Sequence, residues 1–299
     1  MDFIDGINTF VRVAQAGSFS VVARALGVTQ PSISRKIAAL EAHLGVRLLN
    51  RTTRHLRLTE DGLAYLHDAR KILDSIAEAD ARLGKANDTP SGLVRLGSPY
   101  AFARRYLVRR CSTLLSRYPQ LRIEIVSSDI EDNLVELGLD VAIRFGEPRG
   151  DIVARHVGRS SRIAVASPDY LAAAGEPQLP LDLITHNCIV YSNPIIGPRW
   201  TFQSNNTHET ITVTGSFASN SAEVVREACI SGLGITLMPE WLFHDDVASR
   251  RVLPVLRDFS PPDLPIYVTY ASRRFVPPKM RVVVDYLASE LGREPALAI

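Results

Sequence analysis

The sequence predicts an α/β protein in three parts. An N-terminal winged helix-turn-helix covers residues 1–58, a long helix and its hinge cover 59–89, and a two-lobed α/β body covers 90–299. Three observations carry this reading. Glycines at positions 17, 27 and 45 punctuate a short, basic head with helical apolar periodicity. A heptad pattern then runs on to Leu83 without a helix breaker. Beyond Gly92, short apolar runs alternate with helical stretches. At 299 residues and 46% hydrophobic, the chain has material for more than one core.

In the head, Phe3, Ile7, Phe10, Val11 and Ala14 share one helical face that ends at Gly17. Ser18 then caps a second helix carrying Phe19, Val22, Ala23 and Leu26, and Gly27 stops it. The third helix has Thr29 as N-cap, Pro31 in its first turn and Gly45 as its stop. Ile33, Ile37, Leu40 and Leu44 form its apolar stripe, while Gln30, Ser32, Ser34, Arg35 and Lys36 show no carboxylate until Glu41. A positive helix end dressed in amide, hydroxyl and cationic groups suits a phosphate-lined groove. Residues 46–58 alternate Arg, Thr and His with leucines, the pattern of a small β-wing along a nucleic-acid backbone. Eight Arg or Lys residues against three carboxylates give residues 1–58 a net charge of +5, which leaves −3 for the rest of a chain whose total is +2.

The run AGSFSVVARALGVTQPSISRKIAALEAHLGVRLLNRTTRHLRLTEDG resembles the N-terminal winged helix-turn-helix of the LysR-type transcriptional regulators, without a gap. The resemblance implies that the 30–36 face enters the major groove, with Gln30, Ser32 and Arg35 reading bases beside Lys36. Ser34, Arg51, Thr52 and Arg54 would sit mainly on phosphates. Side-chain chemistry agrees, since Gln pairs with adenine and Arg with guanine, whereas wing arginines and threonines meet unspecific oxygens. The implied partners are double-stranded DNA, a small-molecule effector, a second copy in a homodimer or homotetramer, and RNA polymerase.

Thr59, Glu60 and Asp61 start the connecting helix, with acids at its positive end. Leu66, Ala69, Leu73, Ile76, Asp80 and Leu83 occupy successive a and d positions, Asp80 being the polar exception. Such a seam fits a second copy of the chain, and Leu66, Leu73, Ile76 and Leu83 are the expected dimerisation residues. In the family this is the dimerisation linker helix. Packing against the C-terminal body is the other use of this face.

In the body, strands are expected over 93–97, 121–126 and 140–145, with helices over 104–118 and 130–137. This alternation implies parallel α/β architecture, whose ligands bind beyond the carboxyl ends of the strands. A second unit begins near residue 163, with strands near 163–166, 188–191, 211–215 and 235–238. Asn220 with Glu223 reads as a capping box opening a helix over 222–230. A strand over 266–271 and a last helix over 279–291 return to the first lobe, which gives lobe I about 92–161 plus 266–292 and lobe II about 162–265. This half resembles the effector-binding half of LysR-type regulators, itself similar to periplasmic solute-binding proteins. The resemblance implies an effector site at Ser98, Pro99, Tyr100, Ser127, Arg144, Tyr191, Trp200, Asn220 and Ile235. Arg144 has two readings. Facing the cleft, its guanidinium with serine hydroxyls favours a small anion such as a carboxylate; otherwise it pairs with Asp129, Glu131 or Asp132.

Enzymatic and metal chemistry find no support. No GxSxG, Walker A, HExxH or dinucleotide-binding GxGxxG motif occurs, and no cofactor or metal is expected. His244, Asp245 and Asp246 read as a solvated loop. Cys111, Cys188 and Cys229 are odd in number and far apart, which argues against a disulfide framework; Cys188 and Cys229 sit in apolar runs without a basic neighbour, which favours structural burial over a redox switch. The N-terminus lacks the lysines of a signal peptide and no apolar run reaches membrane-spanning length, so a cytoplasmic protein without a membrane partner is expected. The alternative is a cytosolic small-molecule-binding α/β protein without regulatory DNA binding.

Overall fold

The computed structural model describes residues 3–51, 56–83, 90–129, 134, 137–150, 152–193, 197–204, 207–271 and 276–297. The chain divides into two compact units, residues 1–88 and 89–299.

The first unit opens with α1 (Phe3–Ala16), α2 (Phe19–Ala25) and α3 (Gln30–Leu44). Ser18 has extended backbone and its hydroxyl accepts the Val21 N–H at 3.3 Å, a formed N-cap. Thr29 is extended too, but its hydroxyl makes no capping bond, so α3 starts on the fixed φ of Pro31 instead. Gly45 closes α3 in the left-handed region at φ 73°, a conformation costly for a residue with Cβ. Ile33, Ile37 and Leu40 are fully buried against Ile7 and Phe10 of α1 and Val22 of α2. Strands β1 (Leu49–Arg51) and β2 (Leu56–Leu58) pair antiparallel as the expected wing.

Glu41, on α3, secures that wing. Its Oε1 accepts the N–H groups of Leu48 (2.9 Å) and Leu49 (3.1 Å), at the entry to β1. Helix α4 (Glu60–Leu83) follows β2. Thr59 caps it, accepting the Gly62 N–H at 2.8 Å and donating to the Arg47 carbonyl at 2.6 Å. A Cβ at Gly62 would collide with the Leu48 carbonyl, so glycine is what lets α4 lie against the base of the wing.

The start of α4 corrects one expectation. Leu66 and Ala69 are buried in the head's own core, and Phe10 packs on Tyr65 at 5.7 Å between ring centres. Leu66 is therefore consumed within its own chain and is not available to a partner helix. Leu73 is half-buried at the edge of this core and Ile76 is half-buried beyond it. The side chain of Leu83 and the hinge at 84–89 lie outside the described residues.

The second unit begins with β3 (Gly92–Ser98), then α5 (Tyr100–Phe102), a π-helical stretch at Ala103–Leu107 and α6 (Val108–Arg117). Strands β4 (Leu121–Ser127), β5 (Val141–Phe145) and β6 (Ile152–Ser160) complete its first pass. The second lobe contains β7 (Arg162–Ala166), α7 (Pro168–Ala174), a 3-10 turn at Pro180–Ile184, β8 (Val190–Tyr191), β9 (Arg199–Ser204), β10 (Thr207–Thr212) and β11 (Ala218–Ser219). It continues through α8 (Ala222–Ile230), β12 (Thr236–Pro239), α9 (Glu240–Ala248) and β13 (Leu253–Val255). Strand β14 (Leu264–Ala271) and α10 (Pro278–Leu291) return to the first lobe.

The larger sheet has the order β4-β3-β5-β14-β6. Strands β4, β3 and β5 are parallel, as expected, but β14 runs antiparallel to both β5 and β6. The sheet is mixed rather than wholly parallel because the returning strand enters from the far lobe. In the second lobe β7 lies between β12 and β13, antiparallel to each, while β8 and β11 are parallel. A continuous apolar core runs from Leu96, Ile143 and Val268 in one lobe to Val165, Val225 and Met238 in the other. The helix expected over 130–137 falls largely outside the described residues.

Candidate nucleic-acid face and interlobe cavity

On α3, Gln30 and Arg35 are exposed and Ser32 and Ser34 half-buried. The first turn holds no acid. Gln30 is steadied from α2, its Oε1 accepting the Ser20 hydroxyl at 3.2 Å. Lys36 departs from the expected role: its ammonium is 2.6 Å from Asp5 of α1, so it fastens two helices rather than standing free for a phosphate. In the wing, Thr52, Arg54 and the side chain of Arg51 lie outside the described residues.

A cavity of about 100 Å³ lies between the two lobes of the second unit. Val126, Leu139 and Ala142 form its apolar wall on one side, Met238, Trp241 and Leu242 on the other. Polar groups enter from the ends of three strands: Ser98 at the end of β3, Ser128 and Asp129 after β4, and Arg144 from β5. Tyr191 and Asn193 face them from the second lobe. Burial, reinforced by the Asp129 charge, pushes the Tyr191 phenol well above its ordinary range, so it remains a neutral hydrogen-bonding group.

Asp129 organises this meeting of lobes. Its Oδ1 accepts the Tyr100 N–H at 3.0 Å and its Oδ2 accepts the Ala222 N–H at 2.8 Å. Its main-chain carbonyl accepts Asn193 Nδ2 at 2.7 Å. Tyr100 and Ala222 are first residues of helices, whose N–H groups lack intrahelical partners. Trp241 completes the closure from α9. Its ring meets Phe102 at 5.6 Å, Tyr106 at 5.7 Å and Phe145 at 6.2 Å, and its Nε1 donates to Ser160 Oγ at 3.0 Å. Among the described residues, two ion pairs span the same boundary: Arg104 with Glu223 at 3.1 Å and Arg105 with Asp245 at 3.3 Å.

Of the residues expected at the effector site, Ser98, Pro99, Arg144 and Tyr191 line the cavity, while Tyr100, Ser127, Trp200, Asn220 and Ile235 do not. Tyr100 contributes its main-chain N–H next to the cavity, and its side chain is exposed. Ser127 is exposed on the far face of β4, because alternation brings Val126 and Ser128 inward instead. Trp200 and Ile235 are buried in a separate core of the second lobe. Asn220 is exposed and forms no capping box: Ser221 is the N-cap residue, its side chain makes no cap bond, and Asp129 takes the first N–H of α8. Asp129, Asn193 and Trp241 belong to the cavity and were missing from the expected site. The signal for Asp129 was its place just past a polar strand end.

The triplet His244, Asp245 and Asp246 is not a solvated loop but part of α9. Asp246 is fully buried, held by Arg226 through Nε (2.6 Å) and an NH2 group (2.7 Å), and also by Arg251. All three cysteines are buried free thiols. Burial pushes Cys111 up to about 11, and Cys188 and Cys229 up to about 12. Among the described residues, no group of three His, Cys, Asp or Glu side chains could hold a metal, and no helix is long and apolar enough to cross a membrane.

Residues 4–63 match the family described as bacterial regulatory helix-turn-helix protein, lysR family, and residues 87–292 match the LysR substrate binding domain. The chain is 34% identical to the HTH-type transcriptional regulator CrgA of Neisseria meningitidis serogroup C, over 96% of each protein. It is 32% identical to the HTH-type transcriptional regulator DmlR of Escherichia coli, over 96% of this chain and 94% of that one. Among solved structures, full-length AphB of Vibrio cholerae, described as a virulence activator, superposes with a TM-score of 0.62 at 30% identity, covering 95% of this chain and 98% of that one. The CrgA structure gives 0.62 at 33% identity, covering 97% and 99%.

Proposed function

This chain belongs to the LysR-type transcriptional regulators, and from that premise we propose that a small carboxylate held between its two lobes controls how paired heads grip DNA. That it is a DNA-binding regulator with a small-molecule effector domain follows from the family, which is one of transcriptional regulators and not of enzymes. The finer reading rests on one observation: a guanidinium, Arg144, in the wall of an otherwise largely apolar interlobe cavity. A compact acid with an apolar body satisfies both features, its charge on Arg144 and its body against Leu139 and Met238. Tyr191 and Ser98 supply neutral hydrogen bonds that fix its orientation.

At the other end, Gln30, Ser32 and Arg35 read base edges, Ser34 and the wing residues Arg51, Thr52 and Arg54 contact phosphates, and Lys36 acts through Asp5. The second half of α4, with Leu73, Ile76 and Leu83, pairs with the same helix of another copy. Two heads then hold two half-sites. Ligand binding regulates only to the extent that it favours one arrangement of the lobes over another.

The decisive experiment titrates binding to the DNA just upstream of the chain's own gene against salt and random competitor, with and without small monocarboxylates such as acetate and benzoate. Specific, strongly salt-dependent binding over more than one half-site, altered by one of these acids in the wild type but not in Arg144→Gln, is the expected result. Equal affinity for random DNA would refute the specific-regulator reading at that site. An acid response unchanged in Arg144→Gln would refute the role of the guanidinium.

A further inference from the structure

We propose that Asp129 is a latch that ties the two lobes together beside the cavity, so that an effector too large for that space enters only by releasing the tie. The inference rests on the reading of this cavity as the effector site. The cavity, at about 100 Å³, is well below the several hundred Å³ of ordinary small-molecule sites. A ligand of ordinary size must therefore displace part of its lining, and Asp129 stands where the lobes would part. One carboxylate serves both sides: Oδ1 holds Tyr100 N–H of its own lobe and Oδ2 holds Ala222 N–H of the other. The same residue's carbonyl takes Asn193 from the other lobe, so two of these three bonds cross the boundary. Separating the lobes strips the Ala222 N–H of its acceptor, and as the first residue of α8 it has no partner within the helix. The latch also bounds the cavity, so a ligand large enough to part the lobes encounters it directly. A chain that is mostly latched binds its ligand more weakly by the fraction of time it is open.

The test compares amide hydrogen exchange of the full-length, ligand-free protein with that of Asp129→Asn and Asp129→Ala. In both variants, exchange at Ala222 should rise by roughly 10- to 100-fold, the weight of one charge-assisted hydrogen bond, and by at least as much in Ala as in Asn. Exchange within α10 should not change, which certifies the fold. Sodium benzoate, followed through Trp fluorescence, should then bind Asp129→Ala more tightly than wild type by a similar factor. Unchanged protection at Ala222 in both variants overturns the latch, even if benzoate binds. Loosened amides with no response to benzoate, acetate or other small acids leave the latch standing and overturn the carboxylate reading instead.

Discussion

Replacing Asp246 by Asn should be among the most damaging single changes in the second unit. The side chain is fully buried, receives two guanidinium bonds from Arg226 at 2.6 and 2.7 Å and is also held by Arg251. Asn keeps the volume but removes the charge, so the guanidinium of Arg226, itself only 18% exposed, exchanges two short charged bonds for the longer 3.8 Å contact to Glu223. Breaking a buried pair by removing one partner costs on the order of 3–5 kcal/mol. For a unit of this size each kcal/mol lowers Tm by about 2–4 °C, so a fall of roughly 6–20 °C is expected. Thermal unfolding followed by circular dichroism should show it in the transition of residues 89–299, while that of the head stays in place, since the two units have separate cores. The double variant Arg226→Met with Asp246→Leu should recover much of the loss, because it removes both charges and fills the space. A drop below about 2 °C in the single variant, or a double variant worse than the single, would refute the reasoning.

Three further outcomes are expected. Arg35→Ala should relax discrimination among operator variants by about 1–3 kcal/mol at one base position, measured by competition binding; uniform weakening across all variants would make it a phosphate contact instead. Ile76→Asp, which lies beyond the head's core, should dissociate the paired heads in sedimentation experiments without unfolding them, and an intact dimer would contradict pairing through α4. The three cysteines should resist iodoacetamide at pH 8 and label only after unfolding, because the fold holds the neutral thiol and only the thiolate reacts. That same preference stabilises the fold fully below pH 9, the ordinary thiol value, and the contribution declines as pH rises through about 12 for Cys188 and Cys229. Rapid labelling of the native protein at pH 8 would contradict the burial argument.

The parts of this architecture that could be read in the chain are those where local chemistry and tertiary packing agree. Ser18, Gly27 and Gly45 end or begin helices for reasons that need no neighbour, and α8 and α10 appear within a residue of their periodic limits. The mismatches between the expected site and the cavity lining have the opposite origin. Ser127 and Ser128 are chemically alike, and only the parity of β4 decides which faces the cavity. Asn220 and Glu223 satisfy a capping pattern, yet a carboxylate 93 residues away takes the N–H they were expected to serve. Helix α9 was illegible because its buried side includes Asp246, an acid that becomes a core residue only when Arg226 and Arg251 surround it. Likewise β6 carries Arg155, His156 and Arg159 in a strand at the sheet edge, where one side of the ladder is open to water and apolar alternation is not demanded.

The attachment of α4 to the head has a mechanical consequence. With Leu66 and Ala69 seated in the same core as Ile33 and Ile37, the helix and the reading face turn together as one rigid piece. Twenty-four residues at 1.5 Å each make a rod of roughly 36 Å. Tilting such a rod by about 10° sweeps its far end through roughly 6 Å, close to two base-pair rises along one DNA strand. Such a tilt of α4 thus has the leverage to move its own head from one register on the duplex to another, with no change in the head itself.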